Sequence, residues 1–301
     1  MKDKLMTAGL FTAVCTIWGT TWMAMEIAVE SVPPIVATGL RFLISAPCIL
    51  LLAKLANVPL LFPREKRGFM LAVAVFYFAI PFTLMIVGEQ YISSGLASII
   101  FANMPLAVLA VSMISLGLRL SLHQLIGLGV AVSSLCLILS NELEIGSNNG
   151  YAGMVALIAA VAIHAVMYVF TQKYGQGIHV LTYNAVPSAI AALLLLVVGI
   201  VVEQPNWHAM ESHSLQAVMY LGLIASVGGI VAYFRLNQVT SPFNASLCFL
   251  IFPVVALCLD AGINNNHLSP LSLQLLAPLF IGIIVAKLNK LPSIRALVRS
   301  K

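Results

Sequence analysis

Charged residues are scarce in this sequence. Only 8% of its 301 residues are Asp, Glu, Lys or Arg, whereas 61% are hydrophobic and the mean hydropathy is +1.03. A soluble domain carries roughly a quarter charged residues, because its surface must be hydrated. The scarcity of charge therefore excludes a water-soluble globular fold and predicts an integral membrane protein.

Patterns that mark enzymes and metal sites are also missing. The sequence has no His-Glu-x-x-His, no Gly-x-Ser-x-Gly and no pair of intramembrane aspartates, and its five cysteines form no Cys-x-x-Cys. Hydrolysis or metal binding would need such groupings, and His208 and His213 are poorly spaced for a metal. We expect no enzymatic activity, no cofactor and no metal, and we interpret the cysteines as small packing residues.

Apolar runs of about 20 residues follow one another along the whole chain. Such a run crosses a hydrocarbon core of about 30 Å as a helix, because lipid cannot hydrogen-bond to the backbone. The first run is longer than the apolar part of a signal peptide, so we interpret it as a membrane span. The sequence predicts an all-α membrane protein with ten transmembrane helices, at 5–28, 34–54, 68–87, 92–116, 121–140, 151–172, 180–202, 214–235, 241–260 and 269–288.

Lys and Arg residues fall in alternate loops. They precede helix 1, separate helices 2 and 3, 4 and 5, 6 and 7, and 8 and 9, and follow helix 10, whereas the other five loops contain none. Cytoplasmic loops carry the excess of Lys and Arg in membrane proteins. We therefore predict a multi-pass protein of the bacterial inner membrane with both termini in the cytoplasm. This topology accounts for the net charge of +5 without a nucleic-acid partner.

One phrase occurs twice in the chain. "QYISSGLASIIFANMP" (90–105) and "QVTSPFNASLCFLIFP" (238–253) share six identical positions at an offset of 148 residues, and they open helices 4 and 9. The chain thus divides into two repeats of five helices, and because five is odd the second repeat is inverted, which is typical of secondary transporters. We predict a first repeat at 1–140, an external linker at 141–150, a second repeat at 151–290 and a basic cytoplasmic tail at 291–301.

Proline and glycine residues interrupt the helices at matching places in the two repeats. Pro105 of helix 4 matches Pro253 of helix 9, and Pro81 of helix 3 matches Gly229 of the pair Gly228-Gly229 in helix 8. Proline removes a backbone hydrogen bond and kinks a helix. We predict that these residues are the hinges of two gates, with static kinks as the alternative.

Several short motifs resemble those of a known family. "WGTTW" (18–22), "GLRFLISAP" (39–47) and "SSGLASIIFANMPL" (93–106), with the echo of the last at 241–253, are similar to the EamA-like transporters of the drug/metabolite transporter superfamily. The resemblance covers essentially the whole chain and implies the export of amino acids or other small metabolites. One departure is that Leu118 or a neighbour stands where such sequences commonly carry a Glu, so the role of that Glu is not carried over.

Three ionisable residues within predicted helices are functional candidates, because charge is costly in a bilayer. Arg41 could bind a substrate carboxylate bidentately, or it could pair with Glu26 near the outer end of helix 1. His164, in the middle of helix 6, could carry a proton or bond a substrate, and with Glu26 it is a candidate for ion coupling. No Asp or Glu is expected near the bilayer centre, which favours passive or weakly coupled efflux and disfavours cationic drugs.

Polar and aromatic residues are predicted to line a central cavity between the repeats. The predicted substrate-binding residues are Trp18, Thr21, Arg41, Tyr77, Asn103, His164 and Tyr168, with Ser226 as a further polar member of the central set. This set suits a small zwitterion or neutral metabolite, since aromatic faces attract an ammonium group. Trp22 and Tyr233 lie near the ends of their helices and are expected to face lipid.

Other interpretations stay open at this point. A passive channel, an intramembrane enzyme and a carrier of larger apolar cargo are the alternatives to a small-metabolite exporter. Faces of small residues, such as 156–160, could pack within one bundle or between subunits, so the oligomeric state is left open.

Overall fold

The computed structural model describes residues 2–117, 121–145, 150–239 and 248–288. Leu118, Arg119, the linker residues 146–149, the second-phrase residues 241–247 and the tail at 291–301 lie outside the described residues. The described residues form ten apolar helices, here α1 to α10. Their bounds are α1 Lys2–Ala28, α2 Pro34–Leu55, α3 Arg67–Val73 with Ala74–Ala79 and Ile80–Gly88, α4 Ser94–Ala102 with Met104–Leu116, α5 Leu122–Ile145, α6 Gly150–Tyr174, α7 Val180–Glu203, α8 Ser212–Tyr220 with Leu221–Gly228 and Gly229–Val239, α9 Cys248–Ile263 and α10 Pro270–Lys287.

These helices confirm the predicted all-α membrane fold. Eight of the described helices are long and apolar enough to cross a membrane, and two shorter apolar helices, Cys248–Ile263 and Pro270–Ala286, complete the set of ten. Hydropathy located the helices to within a few residues, because a bilayer-crossing segment must be both apolar and internally hydrogen-bonded.

The helices pack with two-fold pseudosymmetry between the first five and the last five. α2 packs along α7 and α5 along α10, while α1 packs on α8 and α9 just as α6 packs on α3 and α4. The α5–α10 contact is close because glycine faces backbone there. A Cβ on Gly127 would lie 2.5 Å from the Ala286 nitrogen, and one on Gly282 would lie 2.7 Å from the Ala131 nitrogen. α5 and α10 thereby form a rigid pair apart from the centre of the bundle.

The two ends of the bundle differ in charge. The loops that follow α1, α3, α7 and α9 and the C-terminal end of α5 meet at one end, here called the acidic end, where the Glu211 N–H donates to Ser31 Oγ at 2.9 Å. The loops that follow α2 and α6 meet at the opposite, basic end, where Lys66 Nζ donates to the Gln176 carbonyl at 2.8 Å. The acidic end carries the carboxylates of Glu26, Glu30, Glu89, Glu203, Glu211 and Asp260.

α3 and α8 each contain a π-helical segment in the same part of the repeat. The segments are Ala74–Ala79 and Leu221–Gly228, which overlap at the offset of 148 residues. Each is followed within two residues by a predicted hinge residue, Pro81 or Gly229. π-Helical turns are rare and occur often at functional sites, so the two segments are candidates for functional irregularities in the described helices.

The second pair of predicted hinges differs between the repeats. In α4 the helix breaks at Asn103, and Pro105 lies in the first turn of the segment that restarts at Met104. In α9, Pro253 lies inside a helix that is continuous from Cys248. The hinge role of these prolines stays a prediction.

Candidate functional site

A cavity of about 170 Å³ lies between the two repeats. Its walls are largely aromatic and apolar with a few polar groups, which is the usual composition of a small-molecule site. Among the described residues, α5 and α10 contribute nothing to it. The lining residues are Trp18, Thr21, Trp22, Arg41, Phe42, Ser45, Ile49, Tyr77, Phe78, Phe82, Met85, Phe101, Met104, His164, Tyr168, Asn184, Ser188, Ala225, Ser226, Ile230, Phe249 and Phe252.

Most of the predicted substrate-binding residues meet at this cavity. Trp18, Thr21, Arg41, Tyr77, His164 and Tyr168 all line it. Asn103 does not: its Nδ2 donates to the Ile99 carbonyl at 2.9 Å, at the break in α4. Glu26 lies at the acidic end, away from the lining, where Asn264 Nδ2 donates to its Oε2 at 3.2 Å.

Arg41 is the one charged residue among the described residues that line the cavity, and it is only 6% exposed. Its Nε donates to Ser226 Oγ at 3.0 Å, and Nη1 lies 3.8 Å from the Met25 sulfur. The guanidinium carbon lies 4.8 Å from the centre of the Phe82 ring, a cation–π distance. A guanidinium has five N–H donors, so most of its donor capacity has no strong acceptor within the described protein.

The alternative in which Arg41 pairs with Glu26 is wrong. No Asp or Glu in the described chain lies within ion-pair distance of Arg41. The Glu26 carboxylate is instead bonded by Asn264. A buried cation without a counter-charge is costly, and it is an expected partner for an anionic group that enters the cavity.

Glycine in α8 lets Ser226 reach Arg41. A Cβ on Gly222 would lie 3.0 Å from the Arg41 carbonyl oxygen and 2.8 Å from Ile44, so only glycine permits α8 to approach α2 this closely. Ser226 lies about one helical turn further along α8, within the π-helical segment. Helix packing thus orients the guanidinium through its Nε and leaves its two terminal nitrogens for other acceptors.

His164 is oriented by a hydrogen bond to the backbone carbonyl of Tyr77, four residues before Pro81. Pro81 has no N–H, so it cannot donate to the carbonyl of Tyr77, four residues earlier. His164 Nε2 lies 3.0 Å from that carbonyl oxygen. Since a carbonyl only accepts, Nε2 carries the proton. In the neutral ring, Nδ1 is then an acceptor, and it makes no hydrogen bond among the described residues.

Two aromatic residues expected to face lipid pack against other aromatic rings instead, Trp22 in the interior and the half-buried Tyr233 on Trp18. Trp22 is 3% exposed, lines the cavity and packs 4.9 Å from the ring of Phe101. Tyr233 packs 4.9 Å from the ring of Trp18. The expectation was wrong because it used depth along the helix alone, whereas the helix face decides whether a side chain meets lipid or a neighbouring helix.

Several lining residues were not predicted from the sequence. Phe101 and Phe249 are the phenylalanines shared by the two copies of the repeated phrase, and both line the cavity. The repeat was therefore a signal that could have found them. Asn184 and Ser188, one turn apart in α7, also line it. They lie in neither copy of the repeated phrase. The packing of α7 on α2 brings them to the cavity.

Comparison with protein families relates the chain to transporters. The EamA-like transporter family matches the sequence twice, at residues 5–140 and 151–288. Protein PagO of Salmonella typhimurium is 44% identical over 282 residues, which cover 94% of this chain and 93% of that protein. An uncharacterized transporter of Buchnera aphidicola subsp. Schizaphis graminum is 40% identical over 94% of each chain.

More distant comparisons agree with this assignment. The uncharacterized inner membrane transporter YedA of Escherichia coli strain K12 is 27% identical over 297 residues, 96% of this chain and 93% of its own. One solved crystal structure superposes with a TM-score of 0.66 at 18% identity, covering 93% of this chain and 96% of the other. At that identity the superposition supports the fold alone.

Proposed function

This chain belongs to the EamA-like transporter family, and we propose that it exports a small metabolite bearing a carboxylate, such as an amino acid or a related zwitterion. It is a multi-pass membrane transporter rather than an enzyme. Transport would proceed by alternating access through the central cavity, as expected for inverted repeats. The two repeats would be 1–140 and 151–290, joined by the linker 141–150.

The observation that carries this proposal is the buried, unpaired guanidinium of Arg41. A carboxylate that receives two parallel N–H bonds from Arg is the strongest simple match for its terminal nitrogens, whose one contact among the described residues is the weak bond from Nη1 to the Met25 sulfur. The described lining contains no Asp or Glu that would bind an ammonium group. Aromatic faces, including those of Trp18 and Trp22, and the Nδ1 acceptor of His164 would fill that role for a zwitterion.

We also propose that the protein lies in the inner membrane with both termini in the cytoplasm. The loops of the acidic end contain no Lys or Arg, which supports an external position for that end. One relative is named an inner membrane transporter. Export would then carry the substrate from the basic end to the acidic end.

The test is ligand-induced thermal stabilisation of the purified protein. A ligand that binds only the folded state raises its stability in proportion to the logarithm of concentration over Kd. We would compare amino acids with their carboxamides, which keep the ammonium group and remove the negative charge. Stabilisation by an amino acid but not by its carboxamide is expected, and Arg41→Gln should weaken it about 10- to 150-fold in Kd, the loss of a charged hydrogen bond.

Two controls separate the carboxylate contact from general damage. Arg41→Lys keeps the charge but loses the planar fork, so it should retain part of the affinity. Tyr220→Phe removes a hydroxyl that bonds Thr20 at 2.5 Å outside the cavity lining, and it should bind like the wild type. Equal stabilisation by acids and carboxamides, or by large apolar compounds only, would contradict the proposal and favour an apolar cargo.

A further inference from the structure

Glu89, in the turn between α3 and α4, is a buried carboxyl group without hydrogen-bond donors. It is 5% exposed, and neither Oε1 nor Oε2 has a partner among the described residues. Burial of an ionised carboxylate without donors is strongly unfavourable, whereas the neutral acid avoids most of that cost. The environment of Glu89 therefore favours its protonated form.

The groups that face Glu89 strengthen this preference. Burial, followed by the negative charges of Glu26 on α1 and Asp260 on α9, raises the pKa of Glu89 well above its usual value. From α6, Gly153 and Leu157 pack against the 88–91 turn, and neither residue titrates. The loops of the acidic end contain no Lys or Arg that could compensate the charge.

Asp260 has the opposite environment, although it is only 1% exposed. Its Oδ2 accepts from the Gly95 N–H at 2.9 Å, and its Oδ1 accepts from the side-chain amides of Asn264 and Asn266 at 3.1 and 3.0 Å. These three donors suit a carboxylate. Because Gly95 lies in the first turn of α4, Asp260 joins α9 to α4 at the acidic end, close to Glu89.

We propose that Glu89, faced by Glu26 and Asp260, forms a proton-binding site that is occupied when the acidic end is closed. The ligand is a proton rather than a metal ion. In the described part of the chain, no three or more His, Cys, Asp or Glu side chains are grouped as metal ligands. Neither oxygen of Glu89 is positioned by a donor, as a ligand to a metal usually is.

The site would link gate movement to pH. In the closed state the raised pKa of Glu89 keeps its proton, and when α4 and α9 separate, water hydrates the carboxyl group and its pKa falls towards the ordinary value. Between these two values, closure takes up one proton from the external water and opening returns one. Low external pH therefore stabilises the closed state, and high pH favours opening. This inference rests on the alternating access proposed above, but the proton site itself needs no substrate for its test.

The first experiment is an infrared pH titration of the purified, full-length protein. The carbonyl-stretch band of a buried protonated carboxyl should persist to a higher pH than that of an ordinary glutamate, disappear as the pH is raised further and be missing in Glu89→Gln. Glu26→Gln removes a neighbouring negative charge and should move the midpoint of the band to lower pH. Glu203→Gln, whose oxygens accept two backbone N–H groups at the same end, is the matched control and should leave the band in place. A band that is absent, or that persists in Glu89→Gln, would overturn the proposal.

The second experiment tests the link to the gate. With the native cysteines replaced, a Thr21→Cys side chain in the cavity reports access from outside to a membrane-impermeant thiol reagent. Its modification rate should rise with external pH, and this dependence should vanish when Glu89→Gln is added, after correction for the thiol's own titration with a model thiol. Identical pH profiles with and without Glu89→Gln would overturn the link. Neither experiment depends on the substrate, so a failure here is distinct from a failure of the carboxylate proposal.

Discussion

The orientation of His164 depends on its hydrogen bond to the Tyr77 carbonyl, near Pro81, which has no N–H. Pro81 cannot supply the N–H that a regular α-helix would place on the Tyr77 carbonyl, and the imidazole of His164 bonds that carbonyl across the helix interface at 3.0 Å. The bond fixes both the ring orientation and the tautomer. Because Nε2 of His164 bonds the Tyr77 carbonyl of α3, Nδ1 is left as an acceptor that a substrate could use.

We predict that His164→Leu destabilises the protein more than His164→Gln. Leucine removes the hydrogen bond to the buried Tyr77 carbonyl, which costs about 1–3 kcal/mol, whereas glutamine can still donate an N–H to it. The measurement is the apparent unfolding temperature in detergent, where the leucine variant should unfold at the lowest temperature. Equal unfolding temperatures for the two variants would mean that this hydrogen bond is not made.

The sequence pointed to several residues that line the cavity, but it did not reveal the groups to which they are hydrogen-bonded. Arg41 and His164 were identifiable because polar groups within apolar runs are costly. Their partners, Ser226 and Tyr77, are 185 and 87 residues away and depend on how the helices pack. Glu89 lies between the predicted helices 3 and 4, and the sequence does not reveal that α1, α6 and α9 pack around it.

Among the described helices, α3 and α8 are the two that contain π-helical segments. Both change from α to π geometry near the cavity, and one π segment contains the carbonyl that His164 bonds. Hydropathy predicted these helices but not their π segments, because α and π turns of the same composition are equally apolar. The matched residues Pro81 and Gly229 indicated where each helix is irregular, but they did not indicate that the irregular turns are π-helical.

We predict that Pro81→Ala converts the π segment of α3 towards a regular helix. Residue 81 would gain an N–H that can donate to the Tyr77 carbonyl, so amide hydrogen exchange across 77–85 should slow. Substrate flux should fall if this segment bends during transport. In α8, Gly228→Ala is the matched change, since the nearest atom to its new Cβ would be 3.9 Å away. Gly229→Ala is the steric contrast, because its Cβ would lie 2.8 Å from Trp18 Nε1. Unchanged exchange and flux in Pro81→Ala and Gly228→Ala would exclude these hinges.

The whole molecule is pseudosymmetric in its packing but not in its charge. At the acidic end, Glu203 accepts from the first free N–H groups of α2 at 2.9 Å each, and Asp260 accepts from the start of α4. The residues at equivalent places in the first repeat are Leu55 and Ser112, which carry no charge. A carboxylate at a helix N-terminus stabilises by about 0.3–1 kcal/mol, more when buried. Glu203 and Asp260 therefore join helices at the acidic end, and the equivalent residues of the first repeat cannot make the same bonds at the basic end.

This asymmetry predicts that Asp260→Ala shifts the conformational equilibrium of the transporter. The substitution removes three hydrogen bonds that join α9 to α4 and to its own loop, so the acidic end should open. Spin labels on the exposed positions Tyr91 and Ile263 at the acidic end should move apart. Labels on the exposed positions Leu55 and Tyr174 at the basic end should approach each other, because alternating access closes one end as the other opens. Asp260→Asn keeps one acceptor and should give an intermediate shift. If both distances stay at their wild-type values, Asp260 is a structural bond in a fixed bundle and the balance between the two states is set elsewhere.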